Sequence, residues 1–457
     1  MASAQNLVSP LMLKLSNYVA TTRRRKLESS IATRTKIHLL DTFAAIIAGS
    51  QLPPGKSAIR YVRTQPAANT SGLIGTKIMS SSLNAALANG MCGHAAEIDD
   101  THPPSRTHPG TAVVPAVLAL AEQEARSGME LLRCIALGYD LCARSMLALA
   151  PRAALRPAAV NGAFGHLFGA AAGAAAILGL NARQCRFTLT YAGQQASGLY
   201  TRLRDPEHIE KAYAVGGMPA HNAVLAALMV RAGFTGVEDV FSGSDNFFAT
   251  YAPNADTEAL VRELGERHEI KRAGIKPWCA GGPAQAPLDV LYSLLQEHVF
   301  SASDVEKLIV HLPATELKIV DNRAMPSISL QHLMALLLID GTVSFASARD
   351  GKRMNETAIL ALRGRISATV DTSSPNTVRG WSCAMDIELK DGRVLTKRTQ
   401  AAKGSFENPL SLAEIEEKAR GLIWPVLGKR RGEILIRALA NIETLDNVQK
   451  LRELYRH

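Results

Sequence analysis

Asn89-Gly90-Met91-Cys92-Gly93-His94-Ala95-Ala96-Glu97-Ile98-Asp99-Asp100-Thr101-His102-Pro103-Pro104-Ser105-Arg106-Thr107-His108-Pro109-Gly110-Thr111-Ala112-Val113-Val114-Pro115 is the stretch from which the rest of the chain can be read. Small apolar residues run back from it to Ser80, which predicts a helix over 80–95. Glu97, Asp99, Asp100, Thr101, His102 and His108 then arrive close together, and Pro103, Pro104, Pro109 and Gly110 break any helix there. A second apolar helix starts at Thr111. Reactive side chains on a loop held between two apolar helices are a common way to build an active site. His108 is the candidate acid–base. It stands near the N-terminus of the following helix, whose dipole favours a neutral imidazole or a bound anion. A neutral imidazole can take a proton from carbon, and its protonated form can return one. His94 and Glu97 share a helix face and look like two metal ligands, but no second pair accompanies them, so no metal is expected.

Outward from this stretch, the 457 residues are too many for one simple core and suggest two domains. The 47% hydrophobic content with few aromatics and many alanines favours close-packed helices. Helices are predicted over 36–49, 55–63, 163–178, 183–197 and 218–232, with Gly49 as a stop and Asp41 facing away from the apolar side or plugging a buried partner. The Ala163–Leu180 run carries His166 and four glycines and reads as a buried helix, so no membrane span is expected. After about 268 the pattern changes. Alternation predicts strands at 305–312, 366–370, 385–389 and 394–399, with Asp391-Gly392 as a hairpin turn.

The net charge of +10 suits an anionic partner. Its basic residues are scattered, and even Arg23-Arg24-Arg25-Lys26 reads as a solvated helix end, so nucleic acid is not expected. A small polycarboxylate fits better. The six cysteines form no CxxC pair and mostly sit in apolar helical contexts, which fits a reducing, cytoplasmic setting. Lys211 followed by Gly216-Gly217 before a helix would let backbone amides and one lysine approach an anion together, although the residues alone favour a plain glycine connector beside an ordinary surface lysine. His208 reads as an exposed polar residue. Lys276 opens a tight Pro277-Trp278-Cys279-Ala280-Gly281-Gly282 loop.

The central stretch resembles the signature of the MmgE/PrpD family, which includes 2-methylcitrate dehydratase, cis-aconitate decarboxylase and iminodisuccinate epimerase. Family members read Asn-Gly, then His, then Asp-Phe-Asp-Asp-Thr, then His-Pro; this chain has Asn89-Gly90, His94, Glu97-Ile98-Asp99-Asp100-Thr101 and His108-Pro109. Glu97 replaces the usual aspartate. Lys211 aligns with a family lysine and Lys276 with the lysine of a Lys-Pro-Tyr motif. Gln285 stands where the family carries a histidine, and a glutamine cannot shuttle a proton. A second family histidine has no clear match; Arg156-Pro157 and His166 lie nearby.

The resemblance covers roughly residues 10–450. It implies a mainly α chain: a large all-helical domain from residues 1–267 and 402–457, plus a smaller α+β lid domain over 268–401. It implies a homodimer that needs no cofactor and binds a small polycarboxylate between the domains. The implied catalytic residues are His108, Asp100 and Lys211. Substrate would be held by Glu97, Thr101, Lys276, Gly216, Gly217 and Gln285. The implied activity is that of a hydro-lyase of the 2-methylcitrate dehydratase type, moving a proton at the carbon next to a carboxylate. An epimerase, a cis-aconitate-type decarboxylase and a non-catalytic carboxylate-binding protein are the alternatives.

Overall fold

The computed structural model describes residues 8–66, 68–149, 162–252, 254–373 and 381–457; Arg156 and Pro157 lie outside them. The chain is mainly α, as expected. It divides into two compact units, Met1–Ala273 with Ile415–His457, and Gly274–Glu414.

The first unit is helical. Its elements are α1 (Pro10–Thr22), α2 (Ser29–Gly49), α3 (Pro53–Arg63), α4 (Ser82–His94), α5 (Gly110–Gln123), α6 (Gly128–Ala148), α7 (Ala163–Leu178), α8 (Ala182–Gln194), α9 (Ile209–Ala212) and α10 (Met218–Arg231). A two-residue pair, β1 (Ser71–Gly72) and β2 (Met79–Ser80), precedes α4. The predicted 163–178 helix is α7 to the residue, and every residue along it is buried. Its alanines and glycines let neighbouring helices approach closely, as interior packing density demands. Gly179, at φ 74°, ends it in the left-handed conformation that glycine adopts without strain.

The expected connector at Gly216-Gly217 is instead helical. Tyr213–Gly217 form one π-type turn that joins α9 to α10, so the helix begins at Ile209, before Lys211, and runs to Arg231. These amides therefore sit inside a helix rather than at an open end facing an anion. The glycines are there for contact: a Cβ on Gly216 would stand 2.1 Å from Gly90 O on α4. Gly216→Ala is expected to destabilise the protein by about 1–3 kcal/mol through overpacking, seen as a lower urea midpoint. The helix Ile209–Arg231 is, among the described residues, the one long and apolar enough to cross a membrane, by length and composition only, and most of it is buried in the helical unit.

The second unit holds a four-stranded sheet of β3 (Val305–Leu312), β4 (Ile366–Val370), β5 (Cys383–Leu389) and β6 (Val394–Thr399) in the order β4-β3-β5-β6. The β3–β4 pair is parallel and the others are antiparallel. The Asp391-Gly392 turn joins β5 to β6, with Gly392 at φ 87°. Helices Gln285–Glu297 and Leu330–Asp340 bury Leu288, Leu291, Leu333 and Leu337 in one core with Leu308, Val310, Met385 and Ile387.

Candidate active site

The loop between α4 and α5 carries the site, and the carboxylate nearest His108 is Asp99. His108 Nδ1 donates to the backbone carbonyl of Asp100 at 2.8 Å and lies 2.9 Å from Asp99 Oδ2. Both neighbours are acceptors, so Nδ1 carries the proton in the neutral ring and Nε2 presents its lone pair. His94, the last residue of α4, donates from its own Nδ1 to Asp99 Oδ2 at 3.0 Å. Within this group His108 keeps a side chain that is 24% exposed, against 0% for His94 and 2% for Asp99, so it is the ring that a substrate can reach.

Asp100 has a different task from the catalytic one expected of it. Its carboxylate accepts from Tyr139 Oη at 2.5 Å, His38 Nδ1 at 2.8 Å and the Gly110 amide at 3.0 Å. Burial alone would raise its pKa, but His38 and Tyr139 outweigh burial and hold it below the ordinary value. Asp100 thus fastens the loop to α2, α6 and the start of α5, and only its backbone oxygen touches His108. Thr101 Oγ1 is 3.5 Å from His108 Nδ1, at the limit of a hydrogen bond. Asp41 has the buried partner that the sequence allowed: Lys418 Nζ donates to its Oδ1 at 2.6 Å and to Ile98 O at 2.9 Å. Burial, the larger influence, pushes Asp41 up to about 6 against the pull of Lys418.

Glu97 and Lys211 meet. The Lys211 ammonium donates to Glu97 Oε1. His208, expected to be exposed, is 7% exposed and stands with its Nε2 3.3 Å from the same Glu97 oxygen. Its ring stacks on His94 with centroids 5.6 Å apart. Glu97, Arg106 and His208 adopt φ of 58°, 56° and 63°. Left-handed backbone at non-glycine residues carries a cost of order 1–3 kcal/mol each, and such strain tends to collect at functional sites. His166 on α7 accepts the His108 amide at its Nε2, 2.7 Å away, which makes its buried Nδ1 the protonated nitrogen.

Lys276 and Gln285 belong to the second unit. Lys276 is fully buried. Gln285 does not present its amide to a ligand as expected. It accepts from the Trp278 amide at 3.1 Å and donates to Trp278 O at 3.1 Å and Ala280 O at 2.8 Å, which clamps the turn that Lys276 opens.

Burial lowers the pKa of six imidazoles among the described residues, those of His38, His94, His102, His166, His208 and His332, the last two to about 4. The unfolded chain takes up these protons near the ordinary value of about 6.5, whereas the folded protein refuses them until lower pH. Stability is therefore lost as pH falls from 6.5 towards 4. Asp41 and His268 oppose this, because both are raised in the folded state: Asp41 mainly by burial, His268 mainly by its hydrogen bond to Asp140. The six imidazoles are expected to dominate. The thermal midpoint should fall between pH 7 and pH 5, with net proton uptake on unfolding in calorimetry across buffers of different ionisation heat.

Two sequence patterns match this chain: the MmgE/PrpD N-terminal domain over residues 13–260 and the MmgE/PrpD C-terminal domain over residues 278–443. Among curated relatives, cis-aconitate decarboxylase of Homo sapiens is 26% identical over 94% of this chain and 91% of its own. The Mus musculus enzyme of the same name is 26% identical over 81% and 78%. A cis-aconitate decarboxylase-like protein of Aspergillus oryzae is 22% identical over 96% and 95%. With both domain patterns present across most of its length, the chain belongs to the MmgE/PrpD family.

Proposed function

We propose that the chain is a lyase that acts on a small di- or tricarboxylate by moving a proton at the carbon next to a carboxylate. The observation that carries this reading is the His108 imidazole with Nδ1 held between Asp100 O and Asp99, beside His94, with Lys211 on Glu97 in the same loop. The acid-weak carbon needs its carboxylate neutralised and the resulting anion stabilised. Lys211 supplies the fixed positive charge, and His108 Nε2 takes or returns the proton. Removal of a proton followed by loss of hydroxide is dehydration. Loss of carbon dioxide leaves its bonding electron pair on the substrate, and an imidazolium at His108 then protonates that carbon.

Decarboxylation is the reading to test first, because the relatives above bear that name; dehydration is second. Proton NMR in deuterated buffer with cis-aconitate, citrate, methylcitrate, malate and tartrate separates them. Decarboxylation gives a product one carbon shorter with deuterium at the protonated carbon. Dehydration gives a new vinyl signal, and epimerisation gives exchange without loss of mass. Silence across the panel in a folded sample would favour a protein that binds carboxylates without turnover. Such a binder would lose affinity on Lys211→Ala and little on His108→Ala.

A further inference from the structure

We propose that His94, Glu97 and His208 form a binding site for a divalent transition-metal ion of the zinc type, and that the ion displaces the Lys211 ammonium from Glu97. Each of the three residues offers one ligand atom, and these atoms lie within 4.8 Å of one another. The sequence shows the His94–Glu97 pair, but the third member enters from the start of α9, more than a hundred residues away. His94 is arranged as metal-binding histidines are. Its Nδ1–H is committed to the Asp99 carboxylate, which fixes the tautomer and leaves the Nε2 lone pair outward. That Nε2 is buried and has no hydrogen-bond partner among the described residues. His208 Nε2 likewise makes no hydrogen bond, although it stands 3.3 Å from Glu97 Oε1.

Two imidazoles and one carboxylate suit zinc, cobalt or copper; magnesium and calcium prefer an all-oxygen set. The neighbouring group of His94, Asp99 and His108 is a poorer ligand set. Both of its rings direct Nδ1–H at Asp99 or Asp100 O, so an ion there would have to strip two protons. Lys211 is the competitor at the proposed site. Its ammonium already neutralises Glu97, and its side chain is 22% exposed, so it can leave for solvent when a doubly charged ion arrives. Resting on the proposed role of Lys211 and Glu97 in turnover, the ion inhibits the enzyme.

The test is a titration of the full chain with Co2+ alone, read as ligand-field absorption in the visible. One saturable equivalent is expected. His208→Gln and Glu97→Gln should each weaken it by about 10–100-fold, with circular dichroism confirming that both variants fold. Lys211→Met should tighten it by about tenfold or more, because a like charge has been removed. Bands that persist unchanged in both ligand variants, or a Lys211→Met protein that binds no more tightly, would overturn the proposal. Zn2+ should abolish wild-type turnover reversibly on chelation. Site-specific binding without inhibition would leave the metal site standing and count against the proposed role of Lys211 and Glu97.

Discussion

His108→Asn should lower turnover by about 10²–10⁴-fold, the contribution of a positioned general acid–base, while the protein stays folded. Asparagine roughly fills the volume and can still donate to Asp100 O, but it has no titratable nitrogen where Nε2 stands. The side chain is partly exposed, so stability should change less than for a fully buried residue. The rate loss should appear in kcat rather than KM, because the proposed mechanism has Lys211, not the imidazole, hold the substrate's carboxylate. Asp99→Asn separates geometry from chemistry. It keeps the shape but removes the charge beside His94 and His108, and should weaken turnover less than loss of the ring itself. Steady-state kinetics on the substrate found in the panel would measure both.

Lys418→Met should cost about 3–5 kcal/mol of stability, the usual consequence of leaving one member of a buried ion pair alone. Lys418 is 5% exposed and Asp41 fully buried, so water cannot take the place of the ammonium. The same change frees Ile98 O, which anchors the middle of the active loop. The loss should depend on pH in a predictable direction. Asp41, already raised to about 6 by burial, rises further without Lys418, so its protonated form relieves the penalty at lower pH. Urea unfolding should show a larger loss at pH 7.5 than at pH 5.5. Asp41→Asn combined with Lys418→Met should recover most of it.

The loop itself was legible because its chemistry is local: Glu97 to His108 are contiguous, flanked by two apolar helices. Strands β4 and β6 and the Asp391-Gly392 turn were legible for the same reason, since alternation and a left-handed glycine are properties of short segments. What escaped was set by distance along the chain. Asp99 and Asp100 are adjacent and chemically identical, and only the fold decides which one faces His108 and which one Tyr139 and His38. His208 looked like a surface residue because nothing in its neighbourhood announces Glu97 and His94, which cover it. Lys418 reaches Ile98 from 320 residues away. Gly216-Gly217 misled for another reason: glycine serves turns and close helix contacts alike, and the sequence does not say which.

The measurement that bears most directly on His108 is chemical rescue. Turnover and solvent deuterium incorporation would be followed by proton NMR in deuterated buffer for the wild type and His108→Gly, with and without free imidazole. If the ring moves the proton, the variant is nearly silent alone and recovers in proportion to added imidazole until the cavity saturates. Wild-type deuterium incorporation in His108→Gly without imidazole would contradict that role and move the search for the base elsewhere in the cluster.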